Sequence, residues 1–492
     1  MASSPHSKTS WLARRTYMVA SGFVLVGALF TAMNANLPVL RNSLVYARTV
    51  ENLELHHLAL WQVCADPAQV HAQACGFSVF AVPFVRLAGL NVGLTLASWM
   101  TTALLIAAMI AFFRRFNGAF GLTEKDLPLE LVVTCFNPLV MTQFWSAHPD
   151  SVFAAFFLLS FVFLDRLLKD EVLKETWTAV AYTLAVMLAV FVRPAGLILY
   201  PLQALYVFWH RREVFALVRR RPRRFSALAA SATVLAVWVG LGKLGHNPLV
   251  NLNQGEFNVP VPYLSTLGGM VALLAITFGV LLVVAAPRLS VTWESAPLLL
   301  MLAAYVHVFM VYHGSSHNMR YYVPVLPLMA LFVVRALRAV RAKSMVAAGL
   351  AIFAVTNAAA ILVYDSAGAN RLFARVASEK INGGQLGYFD NLRLSSQLRM
   401  KAALDRINAL LPPGASLNYV TSYYEGAADG IYQASGLLRP DIRIRYAKNV
   451  GDLGPVTGDA WTFFPERIGM HPSAGSSEWL VHGSVAFSQL RK

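Results

Sequence analysis

Apolar residues run along this chain in blocks of roughly twenty, the length a helix needs to cross the hydrocarbon core of a bilayer. Successive blocks predict spanning helices at Tyr17–Ala35, Val92–Phe113, Leu127–Phe144, Val152–Leu168, Trp177–Val192 and Ala195–Trp209. Further blocks lie at Ser226–Leu244, Leu264–Ala286, Ser295–Tyr312, Tyr322–Val340 and Met345–Tyr364. The pattern predicts a polytopic α-helical membrane protein with about eleven transmembrane helices. The first block follows Lys8, Arg14 and Arg15. It is longer than the apolar core of a signal peptide and lacks a small-residue cleavage site, so it reads as an uncleaved first span.

Two long segments break the rhythm. Residues 36–90 are polar overall but place Leu53, His57, Leu60 and Trp61 at helical spacing, which predicts short helices along the membrane surface. Residues 365–492 carry a helical pattern over Leu394–Leu411, a Pro412-Pro413-Gly414 turn, and candidate strands at Leu417–Tyr419 and Ile442–Tyr446. These features predict a soluble C-terminal α/β domain at 365–492 beside a membrane domain at 1–364.

Composition agrees with a lipid environment. The 492 residues are 57% hydrophobic and only 13% charged, where a soluble domain has about 25% charged residues. The net charge of +16 invites a nucleic-acid reading, but the arginines fall in short clusters between apolar blocks. That is how membrane topology places them, and no nucleic-acid partner is expected. With the N-terminus inside, the inner loops hold Arg114, Arg115, Lys125, Arg166, Lys169, Lys174, the Arg211–Arg224 cluster, Arg288, Arg335, Arg338, Arg341 and Lys343. The outer loops hold Arg41, Arg48, Arg86, Arg193, Lys243 and Arg320. The asymmetry of about three to one sets the orientation, and an odd number of spans puts the C-terminal segment outside. The Arg211–Arg224 stretch reads as an inner loop lying on anionic headgroups.

The ionisable groups that sit at membrane edges gather on the outer side, where they are costly and therefore candidates for chemistry. One cluster, Arg41–Asp66, includes Glu51, Glu54, His56 and His57; a carboxylate there suits a general base. A second is Ser146-Ala147-His148-Pro149-Asp150-Ser151, a tight turn into a span, where Asp150 either caps the helix or takes part in the reaction. A third is Arg193 before Pro194, either a partner for Asp150 or a clamp for phosphate. The fourth runs from His313 through His317, Arg320 and Tyr321 to Tyr322, dense in hydrogen-bond donors. A metal held by His313 and His317 would need the helix that Gly314-Ser315-Ser316 opposes. No phosphate-binding glycine loop of a soluble nucleotide enzyme is present in the sequence. Cys64 and Cys75 share a loop and are either a disulfide or two free thiols. In the C-terminal segment Tyr419, Tyr423, Tyr424, Glu425 and Tyr432 are either a carbohydrate-facing group or core aromatics.

Three motifs in order carry a family resemblance. His148-Pro149-Asp150-Ser151 leads into a span with Asp165 and Arg166. Phe191-Val192-Arg193-Pro194-Ala195-Gly196-Leu197 follows, and then Arg320-Tyr321-Tyr322 with Pro324 and Pro327. With the architecture, they make the chain resemble the GT-C superfamily of membrane glycosyltransferases. The branch it is most similar to holds the bacterial protein O-mannosyltransferases and lipid A aminoarabinose transferases. That family usually places an acidic residue just after the first span. Here the place reads Arg41-Asn42-Ser43 with Tyr46 following, and the nearest acids are Glu51 and Glu54.

The resemblance implies an inverting transfer of sugar from a polyprenyl-phosphate donor to an acceptor hydroxyl on a glycan, lipid or protein. It implies Glu51, Glu54 and Asp150 as catalytic candidates, and Arg41, His148, Arg193, His313, His317, Arg320 and Tyr321 around the substrates. It calls for no cofactor, the lipid-linked sugar being a substrate, and leaves room for a divalent metal. It also implies a bacterial inner-membrane location, with the N-terminus cytoplasmic and the C-terminal domain periplasmic. The alternative is a transporter or flippase of lipid-linked glycans, which would place polar groups and broken helices near the bilayer midplane.

Overall fold

The structure, a computed structural model, describes residues 5–38, 42–55, 75–169, 175–243, 278–313, 319–362, 394–420, 430–447, 460–464 and 480–482. Its helices are α1 (Pro5–Asn34), α2 (Asn42–Leu55), α3 (Cys75–Ala88), α4 (Leu90–Phe116), α5 (Leu127–Cys135), α6 (Pro138–Met141), α7 (Asp150–Lys169) and α8 (Glu175–Val192). They continue as α9 (Leu199–Trp209), α10 (Arg211–Arg220), α11 (Pro222–Lys243), α12 (Val280–Ala285), α13 (Ala296–His313), α14 (Leu326–Ala339), α15 (Lys343–Leu362), α16 (Leu394–Leu410) and α17 (Ile431–Ala434). The protein is thus a polytopic helical membrane protein. Among the described residues five helical stretches are long and apolar enough to cross a membrane, six if a bent pair counts as one. Four more of the predicted spans fall on shorter apolar helical stretches, Thr176–Val192, Ala195–Trp209, Ala296–Val308 and Lys343–Ala358. Of the block at 264–286, the part before residue 278 lies outside the described residues.

Prolines break three of the predicted blocks. The block at Leu127–Phe144 is bent by 75° between α5 and α6. Asn137 is extended (φ −81°, ψ 132°), as the residue before a proline prefers, and its side chain caps the new helix by accepting from the Leu139 amide at 3.0 Å. The blocks expected at Ala195 and Tyr322 begin instead as 3-10 turns, Pro194–Ile198 and Met319–Val325, each containing proline.

Helix α7 is the central element, packed against α4, α8 and the Met319–Val325 turn. Its apolar length is bounded by Asp150 in the first turn and by Arg166 and Lys169 in the last, the arrangement the helix dipole favours. Thr101 and Ser151 share a hydrogen bond of 2.9 Å that joins α4 to its head. At its far end Asp165 takes Arg115 from α4, Lys169 at 2.8 Å and the Tyr206 hydroxyl from α9. A second link of this kind joins Arg338 on α14 to Asp126 before α5. Fifteen residues separate Asp165 from Asp150, about 22 Å along a helix. Asp165 therefore staples the opposite end and takes no part in the group around Asp150.

The segment after the first span is helical, as expected, but it is tied into the membrane bundle. Helix α3 packs on α4 and α8, and α2 packs on α3. The backbones approach closely: a Cβ on Gly93 would stand 2.4 Å from the Val85 Cα, and one on Gly76 would stand 2.3 Å from the Val192 Cα. Cys75, the first residue of α3, is disulfide-bonded, which removes the reading with two free thiols. Cys135 is a free, buried thiol, and Cys64 lies outside the described residues. Helix α10 buries Leu217 and exposes Phe215 and its arginines, as a surface helix would.

The segments after residue 393 hold a four-stranded sheet in the order β2-β1-β3-β4, formed by β1 (Ser416–Val420), β2 (Arg443–Ala447), β3 (Trp461–Phe463) and β4 (Leu480–His482). β1 runs parallel to both β2 and β3, and β4 is antiparallel to β3. Ala403, Leu404 and Ile407 of α16 are buried with Leu417. Tyr419 and Tyr432 are also buried, and Tyr419 meets Phe463 edge-on at 5.2 Å. These two tyrosines are core aromatics; Tyr423, Tyr424 and Glu425 lie outside the described residues. The Gly414 amide donates to exposed Asp441 at 2.9 Å and holds that carboxyl below its ordinary range. Helix α2 touches α17, so the segment after the first span meets this C-terminal segment.

The close contact at Gly93 gives a direct test. Gly93→Ala should destabilise the protein by about 1–3 kcal/mol, because only backbone can yield there. Thermal unfolding in detergent should show a lower Tm than for Gly22→Ala, where a Cβ meets nothing within 4 Å.

Candidate functional site

The site is built at the head of α7. Pro149 and Asp150 open the helix, and the Phe153 amide closes its first turn on the Pro149 carbonyl at 2.8 Å. Arg193 comes from the end of α8. Its amide still bonds back to Ala189 at 3.0 Å, but its own backbone is extended (φ −152°, ψ 121°) ahead of Pro194. This turns the guanidinium across to α7, where it forms an ion pair with Asp150. Both side chains are almost completely buried, at 4% and 1% exposure. Of the two roles open to Arg193 in the sequence, partner of Asp150 is the one the structure displays.

His148 is fully buried on the same turn, and its amide donates to the Ser146 carbonyl at 2.7 Å. Its ring meets Tyr46 of α2 edge-on at 5.8 Å. Tyr46 in turn meets Phe77 of α3 at 5.6 Å, and its carbonyl accepts from the Ser78 hydroxyl at 3.2 Å. Tyr46 was not among the residues expected at the site. The signal that finds it is the buried face of α2, where Ser43, Tyr46, Ala47 and Val50 recur at helical spacing.

The two glutamates of α2 are held by arginines. Glu51 is buried and pairs with Arg48 at 2.6 Å, one turn earlier on the same helix. Glu54 pairs with Arg86 of α3 at 2.6 Å, and Arg86 is largely exposed. Each glutamate thus has an arginine partner of its own, on α2 or α3. The structure brings Asp150, Arg193 and His148 together, with Tyr46, and sets Glu51 and Glu54 on the helix that carries Tyr46.

The fourth cluster is placed by its backbone. The Met319–Val325 turn, which includes Arg320 and Tyr321, packs against α7 and α6, with Tyr322 and Val323 buried. The side chains of Arg320 and Tyr321 lie outside the described residues, as does that of His313 at the end of α13. Arg41 and His317 lie outside them altogether. Among the described residues no group of three or more His, Cys, Asp or Glu side chains is placed to hold a metal ion.

No protein-family model matches the chain, and no curated protein matches it. Two solved structures do, both of ArnT from Cupriavidus metallidurans. The apo structure aligns with a TM-score of 0.54 and 14% identity, covering 98% of this chain and 99% of that one. The structure bound to undecaprenyl phosphate aligns with a TM-score of 0.54, 16% identity and the same coverage. At that identity the likeness is one of fold, and it extends over essentially the whole chain. A shared fold over the whole chain agrees with the architecture that the resemblance of the three motifs implies.

The buried pair makes a prediction about stability. Arg193→Ala leaves the Asp150 carboxylate buried without its partner and should cost about 3–5 kcal/mol. The double variant Asp150→Asn with Arg193→Met should recover much of that loss. Denaturant or thermal unfolding of the two proteins measures the difference.

Proposed function

We propose that the protein moves a sugar from a polyprenyl-phosphate-linked donor to an acceptor hydroxyl outside the cytoplasm, as an inverting glycosyltransferase. The observation that carries this reading is the buried Asp150–Arg193 pair beside His148, at the head of the central helix. A carboxylate and a guanidinium are expensive to bury, so a site that keeps them at a membrane edge has a use for their charge. The fold match to a protein bound to undecaprenyl phosphate supplies the class of ligand. A disulfide at Cys75 fits an outer segment facing an oxidising compartment.

The chemistry follows from where charge develops. A carboxylate, Glu51 or Glu54 in this reading, takes the acceptor's hydroxyl proton. The acceptor oxygen attacks the anomeric carbon from the face opposite the phosphate, a new glycosidic bond forms, and the carbon–oxygen bond to phosphate breaks with inversion. The electron pair leaves on the phosphate, where Arg193 and Arg320 stabilise it. Asp150 sets where Arg193 stands. Arg41, His148, His313, His317 and Tyr321 border the substrates in this reading. Because the leaving group is a monophosphate that departs onto arginines, the step itself calls for no cofactor.

Asp150→Asn should lower transfer at least a hundredfold, in the range seen when one preorganised electrostatic partner is removed. The readout is release of undecaprenyl phosphate by purified protein, with the folded fraction followed by size-exclusion chromatography. Near-normal turnover by folded Asp150→Asn would remove the residue from the mechanism. Mass spectrometry of lipid-linked sugars and surface glycans after deletion of the gene would identify the sugar and acceptor.

A further inference from the structure

The turn between the bent third block and α7 carries buried polar groups that the Asp150–Arg193 pair does not use. Gln143 is fully buried, and Trp145 and Ser146 are 4% and 5% exposed. Both polar atoms of the Gln143 amide, the Trp145 indole nitrogen and the Ser146 hydroxyl have no hydrogen-bond partner among the described residues. Folded proteins pair the large majority of such groups, because leaving one unpaired inside is costly. Three such side chains within four consecutive residues are more than packing alone calls for.

The backbone that presents them is well anchored. The Thr31 hydroxyl of α1 donates to the Phe144 carbonyl at 3.2 Å, and the Trp145 ring packs on Phe30 of α1 at 5.2 Å. The amides of Trp145 and Ser146 both bond back to the Thr142 carbonyl, at 3.4 and 3.1 Å. Thr142–Phe144 is a 3-10 turn that carries Gln143, and Trp145 and Ser146 follow it directly. Ser146 stands four residues before Asp150, on the same approach to α7.

We infer that Gln143, Trp145 and Ser146 form a hydrogen-bonding subsite for the hydroxyl groups of a sugar, adjoining the Asp150–Arg193 pair. The inference rests on the glycosyl-transfer reading and adds to it the residues that select the sugar. The donor set decides the ligand class. A phosphate accepts only, and would leave the Gln143 carbonyl oxygen without a proton donor. Hydroxyl groups both donate and accept. The planar amide can accept from one hydroxyl and donate to its neighbour, while Ser146 does either and the indole donates. A site of this kind rejects an analogue that lacks the matching hydroxyl, because its own buried groups are then left unpaired.

The full chain in lipid nanodiscs provides the test. The probes are a short-chain polyprenyl phosphate alone and the same lipid carrying glucose, galactose, mannose, N-acetylglucosamine or aminoarabinose. Wild-type protein should bind at least one sugar-bearing lipid about tenfold or more tighter than the bare lipid. Gln143→Met and Ser146→Ala should each cut that preference to about threefold or less, with bare-lipid affinity unchanged. The ligand-free Tm of Gln143→Met should be equal or higher, since the variant removes unpaired buried groups and breaks no bond. A structural role for Gln143 would lower that Tm instead. Variants that keep the wild-type preference, or that lose bare-lipid binding in step with it, overturn the inference, as does a wild type with no preference among the probes. A wild type that binds neither the bare nor the sugar-bearing lipids overturns the glycosyl-transfer reading as well.

Discussion

A carboxylate and a guanidinium withdrawn from water must stay together, and the Asp150–Arg193 pair imposes that condition on the head of the bundle. The head of α7 and the end of α8 must meet for the pair to form, so the two helices cannot slide past one another without exposing a buried charge. The Thr101–Ser151 bond holds α4 to the same head. At the other end Asp165 gathers Arg115, Lys169 and Tyr206 from three helices. The central helix is thus fastened by charge at both ends and by apolar packing between. Helices in lipid gain little from the hydrophobic effect against one another, so such polar fasteners carry more of the specificity than they would in water.

The course of the spans was legible because hydrocarbon imposes a length on apolar runs, and the structure places helix in each of the predicted blocks it describes. The breaks were legible in principle, at Asn137-Pro138, Pro194 and Pro324, but a window of hydropathy averages over them. Asp150, His148 and Arg193 were singled out one by one as polar residues in costly places. The sequence offered Arg193 as either a partner for Asp150 or a clamp for phosphate, and only the structure decides between them. No sign in the sequence marked Glu51 as taken up by Arg48, one turn away on its own helix. Local pairing at helical spacing is always available to a glutamate, and linear sequence does not say when it wins.

Gln143 escaped notice for a different reason. An amide amid apolar residues looks like tolerated polarity in a span, and only burial together with a missing partner gives it meaning. The same holds for Tyr46, an aromatic indistinguishable from core until its ring is seen against His148. The helix bend at Asn137 is what brings this polar stretch inside the protein. Irregular backbone is tolerated at membrane depth where protein or an aqueous cavity surrounds it, and the bend satisfies that rule while delivering Gln143 and Ser146 to the approach of α7.

The glycine at position 76 has a mechanical consequence. Its missing side chain lets α3 rest directly on the backbone of Val192, one residue before Arg193. The neighbouring Cys75 ties the same end of α3 by a disulfide, and Tyr46 couples α2 to it through Phe77 and Ser78. The loop helices and the arginine therefore form one lever. A displacement of α3 bears directly on the backbone next to Arg193.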